Sequence, residues 1–274
     1  MNNKKPLTLS QMQTIEIDIL REFSKFCKLN NISFYLSNGT LLGAVKYKGF
    51  VPWDDDIDVF VPRADYDRLI KCYKDSDRFV LFHRKRVKKF NYPYAKLCDM
   101  TTEKIEDKTY AGVSTGLEID IFPLDVFSAS PEKAKAQISE NLKIKQKLGY
   151  VKLKKYEPDK NRSKTEVLIR KCMIKFLHML GSDFFCNKME KVATRYNNTS
   201  KPEYLGCAIW PVYGEKEIIS AQVFSEKVEV EFAGEKYPAP KEYDNYLRSL
   251  YGDYEKDPPI EKQVTHHRFL AYTR

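Results

Sequence analysis

Four carboxylates fall within five residues, Asp54, Asp55, Asp56 and Asp58, directly after Trp53. Like charges this close repel, and burial adds a desolvation penalty that a divalent cation removes. Magnesium is a hard ion that takes oxygen ligands and keeps part of its water shell for substrate phosphates. Asp56 and Asp58 alternate with the apolar Ile57, Val59 and Val61, the period of two of a strand, so both acids share one face. A solvated acidic turn would show the same pair. A third acid shifts the balance: Asp120 lies 62 residues beyond Asp58 in another alternating run. There Leu117, Ile119 and Ile121 share one face, and Glu118 and Asp120 the other. Glu118 is the rival for the third position, with a longer side chain less suited to a tight site.

Upstream, Gly39-Thr40 falls between a short strand and a helix, 16 residues before Asp56 counting from Thr40. Free N–H groups at a helix start hold phosphate, glycine lets the backbone approach, and threonine adds a hydroxyl donor. An ordinary N-cap is the plain alternative. Phosphate turn, helix, then a strand with two acids is the order of nucleotidyltransferase-fold enzymes.

The elements that must position these groups are legible from spacing. Met12, Ile15, Ile19, Phe23, Phe26 and Cys27 recur every three or four residues and predict a helix that Asn30-Asn31 ends. Strands are expected at 32–36, 57–61, 79–83, 94–99, 117–122 and 228–232, and helices after Thr40, at 64–73, from Thr165 to Leu180, at 183–196 and at 242–250. Without internal repeat or low-complexity linker, the chain reads as one α/β (α+β) catalytic domain over residues 1–274. Its mixed sheet is flanked by helices, with a basic helical insertion at about 131–200.

The chain has 274 residues and a net charge of +9, and the excess is local: Lys133 to Lys175 holds 14 Lys and Arg against 4 Asp and Glu. A solvated helical face, an anionic membrane, a polyanionic glycan or nucleic acid would each suit that segment. No run of 18 apolar residues exists to span a bilayer, and the N-terminus lacks a signal-peptide pattern. The six cysteines show no C-x-x-C pair, so reduced core thiols and a cytoplasmic location are expected. Neither an H-E-x-x-H zinc pattern nor a Walker phosphate loop is present. Of the histidines, His178 is expected in a core or interface, and His266-His267, beside Arg268, either at a solvated terminus or folded back on phosphates.

The run NGTLLGAVKYKGFVPWDDDIDVFVPRADYDRL resembles the signature of the LicD family, which includes the fukutin and fukutin-related proteins. GLEIDIFPLD resembles its second block and YLRSLYGDYEKDPP a third, so the likeness spans about residues 30–260. One departure is Lys46-Tyr47, where the family often has Arg-His; it keeps a cation but removes the histidine. The resemblance implies a nucleotidyltransferase-like fold that transfers a phosphodiester-linked group from a CDP-activated donor. Asp56, Asp58 and Asp120 match the family's metal-binding acids, while Trp53 and Asp54 belong to the same motif.

On that basis the expected donor is CDP-choline or a related CDP-alcohol, with one or two Mg2+ ions (or Mn2+) on Asp56, Asp58 and Asp120. Asp120 would orient or deprotonate an attacking sugar hydroxyl. Gly39 and Thr40 would contact phosphate oxygens, and Lys46 or Lys96 would supply positive charge. Trp53 is the best-placed ring for a quaternary ammonium, with Tyr47 and Tyr94 behind it; bracing the loop is its other role. The resemblance implies as acceptor a cell-surface glycan or teichoic acid precursor, lipid-linked at the inner face of the membrane; peripheral contact through residues 133–180 and no nucleic acid are expected. Ribitol or glycerol phosphate transfer, an Asp-x-Asp metal-dependent glycosyltransferase, an RNA-modifying nucleotidyltransferase and a non-catalytic glycan-binding protein are the alternatives.

Overall fold

The computed structural model describes residues 5–106, 112–158, 163–265 and 269–274. His266 and His267 therefore lie outside the described residues. The chain opens with helix α1 (Leu9–Leu29), started by a capping box in which Thr8 and Gln11 satisfy each other's backbone N–H. Its face of Ile19, Leu20, Phe23 and Cys27 is buried. Strand β1 (Tyr35–Leu36), helix α2 (Asn38–Tyr47), strand β2 (Asp58–Pro62) and helix α3 (Arg63–Cys72) follow. Next come β3 (Phe79–Phe82), β4 (Ala95–Glu106) and β5 (Thr115–Val126).

Together with β6 (Tyr204–Gly206), β7 (Ile219–Ser220) and β10 (Phe269–Thr273), these strands form one mixed sheet, and the fold is α+β. Its spine runs β1-β2-β5-β4-β10. Only β2 and β5 pair in parallel along that spine; the other neighbours are antiparallel. Val59, Phe60 and Val61 are all buried, as expected of a strand covered on both faces. The strand β10 had no sequence signal; it pairs with the far half of β4, Thr102 to Glu106.

Between β5 and β6 the chain makes two long helices, α4 (Pro131–Lys152) and α5 (Lys164–Ala193). The two helices expected from Thr165 onward are the halves of α5: Gly181, at φ 76° and ψ 165°, breaks the helical path between them. That left-handed φ costs glycine little. His178 is exposed rather than buried, its Nε2 3.1 Å from the Tyr150 carbonyl on α4. The strand expected at 228–232 is half of a hairpin, β8 (Lys227–Phe232) with β9 (Glu235–Pro240). Its turn residues Ala233 and Gly234 both have positive φ, and the Ala233 N–H donates to the Lys48 carbonyl at the end of α2. Helix α6 (Tyr243–Tyr251) packs Tyr246, Leu247 and Leu250 inward. All six cysteines are unpaired; Cys72 and Cys172 are exposed, so only four are core thiols.

Candidate active site

The first turn of α2 holds the second acid of the Asp-x-Asp pair. The Asn38 side-chain amide donates to Asp58 Oδ2 at 3.0 Å, and the Asp58 backbone N–H donates to Thr40 Oγ1 at 2.8 Å. Asn38 in turn accepts from the Tyr246 hydroxyl at 2.9 Å and donates its own N–H back to that oxygen at 3.2 Å. Thr40 is thus buried and braces Asp58, whereas sequence reasoning aimed its hydroxyl at a phosphate. Gly39 lines the cavity, and a Cβ there would lie 2.4 Å from Asp54 Oδ2. The glycine is what allows that carboxylate to rest against α2.

Parallel pairing of β2 with β5 sets Asp58 opposite Asp120, and the Asp120 N–H donates to the Ile57 carbonyl at 2.8 Å. Paired residues of neighbouring strands share a face, so two carboxylates from distant segments meet at the mouth of one cavity. Asp120 is gripped from the other side. Tyr94 donates to its Oδ2 at 3.1 Å, and Lys96, its partner on β4, approaches Oδ1 at 2.7 Å.

Lys96 also contacts Glu118 at 3.0 Å, and Lys104 reaches the same Glu118 oxygen at 2.5 Å. Burial pushes the Glu118 carboxyl up, but Lys104 and Lys96 outweigh it and bring it down to about 2. Burial likewise pushes Lys96 down, and Asp120 with Glu118 lifts it well above the ordinary ammonium value. Lys96 is a buried clamp on Asp120, committed to the protein's own acids. Glu118, the rival for the third acid, serves as the far anchor of that clamp.

The acidic loop closes the arrangement. One carboxylate oxygen from each of Asp54, Asp55 and Asp56 lies within 4.8 Å of the others. Burial, then repulsion from Asp56, raises Asp54 to about 8. Burial, then Asp56 and Asp120, raises Asp58 well above its ordinary value. Beneath them sits Glu16 of α1, buried and raised well above normal by burial first and by Asp56 next, with its Oε2 unbonded among the described residues. These donors are carboxylate oxygens that repel one another, and a hard divalent cation fits such a set. Asp56 belongs both to the close trio and to the expected set with Asp58 and Asp120.

The cavity above the acids measures about 720 Å³. Trp53 stands edge-on to Tyr47 at 6.5 Å, Trp210 to Tyr94 at 5.4 Å, and Tyr213 to Tyr251 at 5.3 Å. Lys46 and the Tyr47 hydroxyl both engage Asp257, so Lys46 is tied to the rim. Lys256 and Lys262 line the same rim as further cations. Sequence reasoning missed Asn38, Trp210, Tyr213, Tyr251, Lys256 and Lys262. A motif search carries no signal for most of them, because segments 210–213 and 251–262 reach the cavity only through tertiary packing. The YLRSLYGDYEKDPP block was the one pointer to the rim.

Residues 31–148 match the family described as LicD/FKTN/FKRP, nucleotidyltransferase domain. That stretch carries a LicD-type domain. Across 98% of its length, and 99% of the other protein, it is 28% identical to the lipopolysaccharide cholinephosphotransferase LicD of Haemophilus influenzae. It is 32% identical over 133 residues to mannosyltransferase regulator 4 of Saccharomyces cerevisiae, covering 45% of this chain and 11% of that one. An uncharacterized protein of Rickettsia prowazekii is 35% identical over 65 residues, 24% of this chain and 22% of its own. The LicD match contains Asp56, Asp58 and Asp120, so the acids that meet in the fold lie within the matched domain.

Proposed function

We propose that this protein is a transferase that moves phosphocholine from CDP-choline to a sugar hydroxyl of a glycan, releasing CMP. The observation that carries the reading is the Asp58–Asp120 pairing beneath an aromatic cavity of about 720 Å³, in a chain similar along its whole length to a lipopolysaccharide cholinephosphotransferase. The acceptor oxygen attacks the phosphorus bearing choline, the new P–O bond forms, and the bond to the CMP phosphate oxygen breaks. The hydroxyl proton passes to Asp120, whose oxygens Tyr94 and Lys96 already orient. Asp56, Asp58 and Asp120 would hold one or two Mg2+ ions (or Mn2+), which when bound neutralise charge on the diphosphate. The Gly39 segment of α2 offers backbone N–H groups to the same phosphates.

Trp53 gives choline a π face, worth about 0.5–2 kcal/mol. Replacing it by alanine should raise KM for CDP-choline by about tenfold, within that range, while leaving CDP-glycerol unaffected. An equal loss with both donors would make Trp53 a brace for the acidic loop. We further propose a lipid-linked glycan acceptor reached from the cytoplasmic side. Two things support this: the unpaired cysteines suit a reducing compartment, and the Haemophilus protein is named for lipopolysaccharide, a glycan joined to lipid. No helix among the described residues is long and apolar enough to cross a membrane.

A further inference from the structure

The basic excess of residues 133–175 divides in the fold. Part turns inward: Lys145 lies 4.2 Å above the Trp210 ring, and Lys152 lies 3.3 Å above Tyr92. The rest includes the first half of α5, whose inner face is anchored by buried Ile174 and Leu177. Its outer face is apolar and exposed: Leu168 is 62% exposed, Phe176 55% and Met179 74%, with Ile169 and Met173 beside them. At 100° per residue these side chains fill one arc of about 140° around the helix. Lys164, Lys171 and Lys175, all exposed, follow one border of that arc.

An apolar arc edged by lysines is the geometry of a helix lying in a membrane interface, with rings and aliphatic chains among acyl tails and ammonium groups at the phosphates. We propose that this face of α5 rests on an anionic lipid bilayer. Charge complementarity selects the bilayer over a second copy of this chain. An antiparallel two-fold pairing through the arc would bring two lysine borders together, whereas an anionic leaflet attracts each of them. Hydrogen bonds from Arg170 to the Tyr150 hydroxyl and between His178 and the Tyr150 carbonyl tie α5 to α4. Through Lys145, α4 touches the cavity wall at Trp210. The surface thus holds the enzyme at the leaflet without a spanning segment. The inference rests on the exposure and charge of α5 and stands whichever group is transferred.

The test is co-flotation of the full chain with phosphatidylcholine vesicles, with and without about one-third phosphatidylglycerol, a composition chosen to give the anionic surface its charge. The wild type should float only with the anionic vesicles and detach in high salt. Phe176→Asp with Met179→Asp should abolish flotation, and each of Lys164→Gln, Lys171→Gln and Lys175→Gln should weaken partitioning about fivefold. All variants should keep the wild-type melting curve, since the altered side chains are exposed. Wild type that stays at the bottom, or variants that float like it, would overturn the proposal. So would sedimentation showing a dimer that Phe176→Asp with Met179→Asp splits, which would assign the face to a second copy.

Discussion

Asp58 and Asp120 stand opposite each other on the only parallel strand pair of the sheet's spine, and each is fixed by a different part of the chain. Asn38 and Thr40 hold Asp58 from the first turn of α2; Tyr94 and Lys96 hold Asp120 from β4 and the residue before it. The site is therefore a junction of four segments, with β2 and β5 carrying the acids and α2 and β4 holding them, and disturbing either holder should misplace one carboxylate without touching the other.

Asn38→Ala removes the amide that orients Asp58 and the side-chain oxygen that accepts from the Tyr246 hydroxyl, leaving that hydroxyl only the backbone N–H of residue 38. Loss of such an outer support typically costs about 10–100-fold in activity or metal affinity. We expect that loss in kcat, with KM for the donor within about twofold, the split anticipated for a positioning group. Thr40→Ser, which keeps the acceptor for the Asp58 N–H, should retain most activity. Steady-state kinetics of the two variants checks this.

Gly39 and Gly43 sit one helical turn apart and should respond differently to alanine. At Gly39 the new methyl would meet Asp54 Oδ2, the end of a side chain that can swing away. The protein should fold but lose activity. At Gly43 it would meet the Gly49 carbonyl oxygen at 2.3 Å and the Val51 nitrogen at 2.9 Å, both backbone. Overpacking against a fixed wall costs about 1–3 kcal/mol, so Gly43→Ala should lower the melting temperature. Paired melts and activity assays separate the two.

Glu217 supplies a pH dependence. It is buried beneath the segment that carries Trp210 and Tyr213, accepts from the Tyr213 N–H at 3.3 Å, and burial raises it from 4.5 to about 7. The folded state keeps this proton after the unfolded chain has released it, so stability falls as pH rises from 4.5 to 7 and levels off above. The full difference is about 3 kcal/mol. Glu217→Gln should flatten that slope, gaining melting temperature relative to wild type at pH 8 compared with pH 5. An unchanged slope would show that Glu217 ionises normally.

Much of the site was legible because strand alternation fixes facing. Ile57 and Val59 turn inward, so Asp56 and Asp58 point the other way, and the same argument orients Asp120 against Ile119 and Ile121. Pairing of the two strands is not in that pattern, and it alone brings the acids together. The partners of the cations were illegible for a related reason: a lysine reads as free charge until its partner is known. Lys96 is spent on Asp120 and Glu118, and Lys46 on Asp257, 211 residues away. Glu16 carries no signal of its own in the sequence; only the packing of α1 against the acidic loop brings it to the site. The two helices expected from Thr165 onward hold, since Gly181 breaks the path of α5, whereas the exposure of the apolar arc depends on where α4 lies.

The most direct test of the central claim is CMP release from CDP-choline, CDP-ribitol and CDP-glycerol, with Mg2+ or EDTA, for wild type and Asp58→Ala. The account predicts Mg2+-dependent CMP from CDP-choline, abolished by EDTA and by the substitution, with slow release even when water replaces the acceptor. CMP release that persists in EDTA or in Asp58→Ala, or preference for a donor without choline, would contradict it.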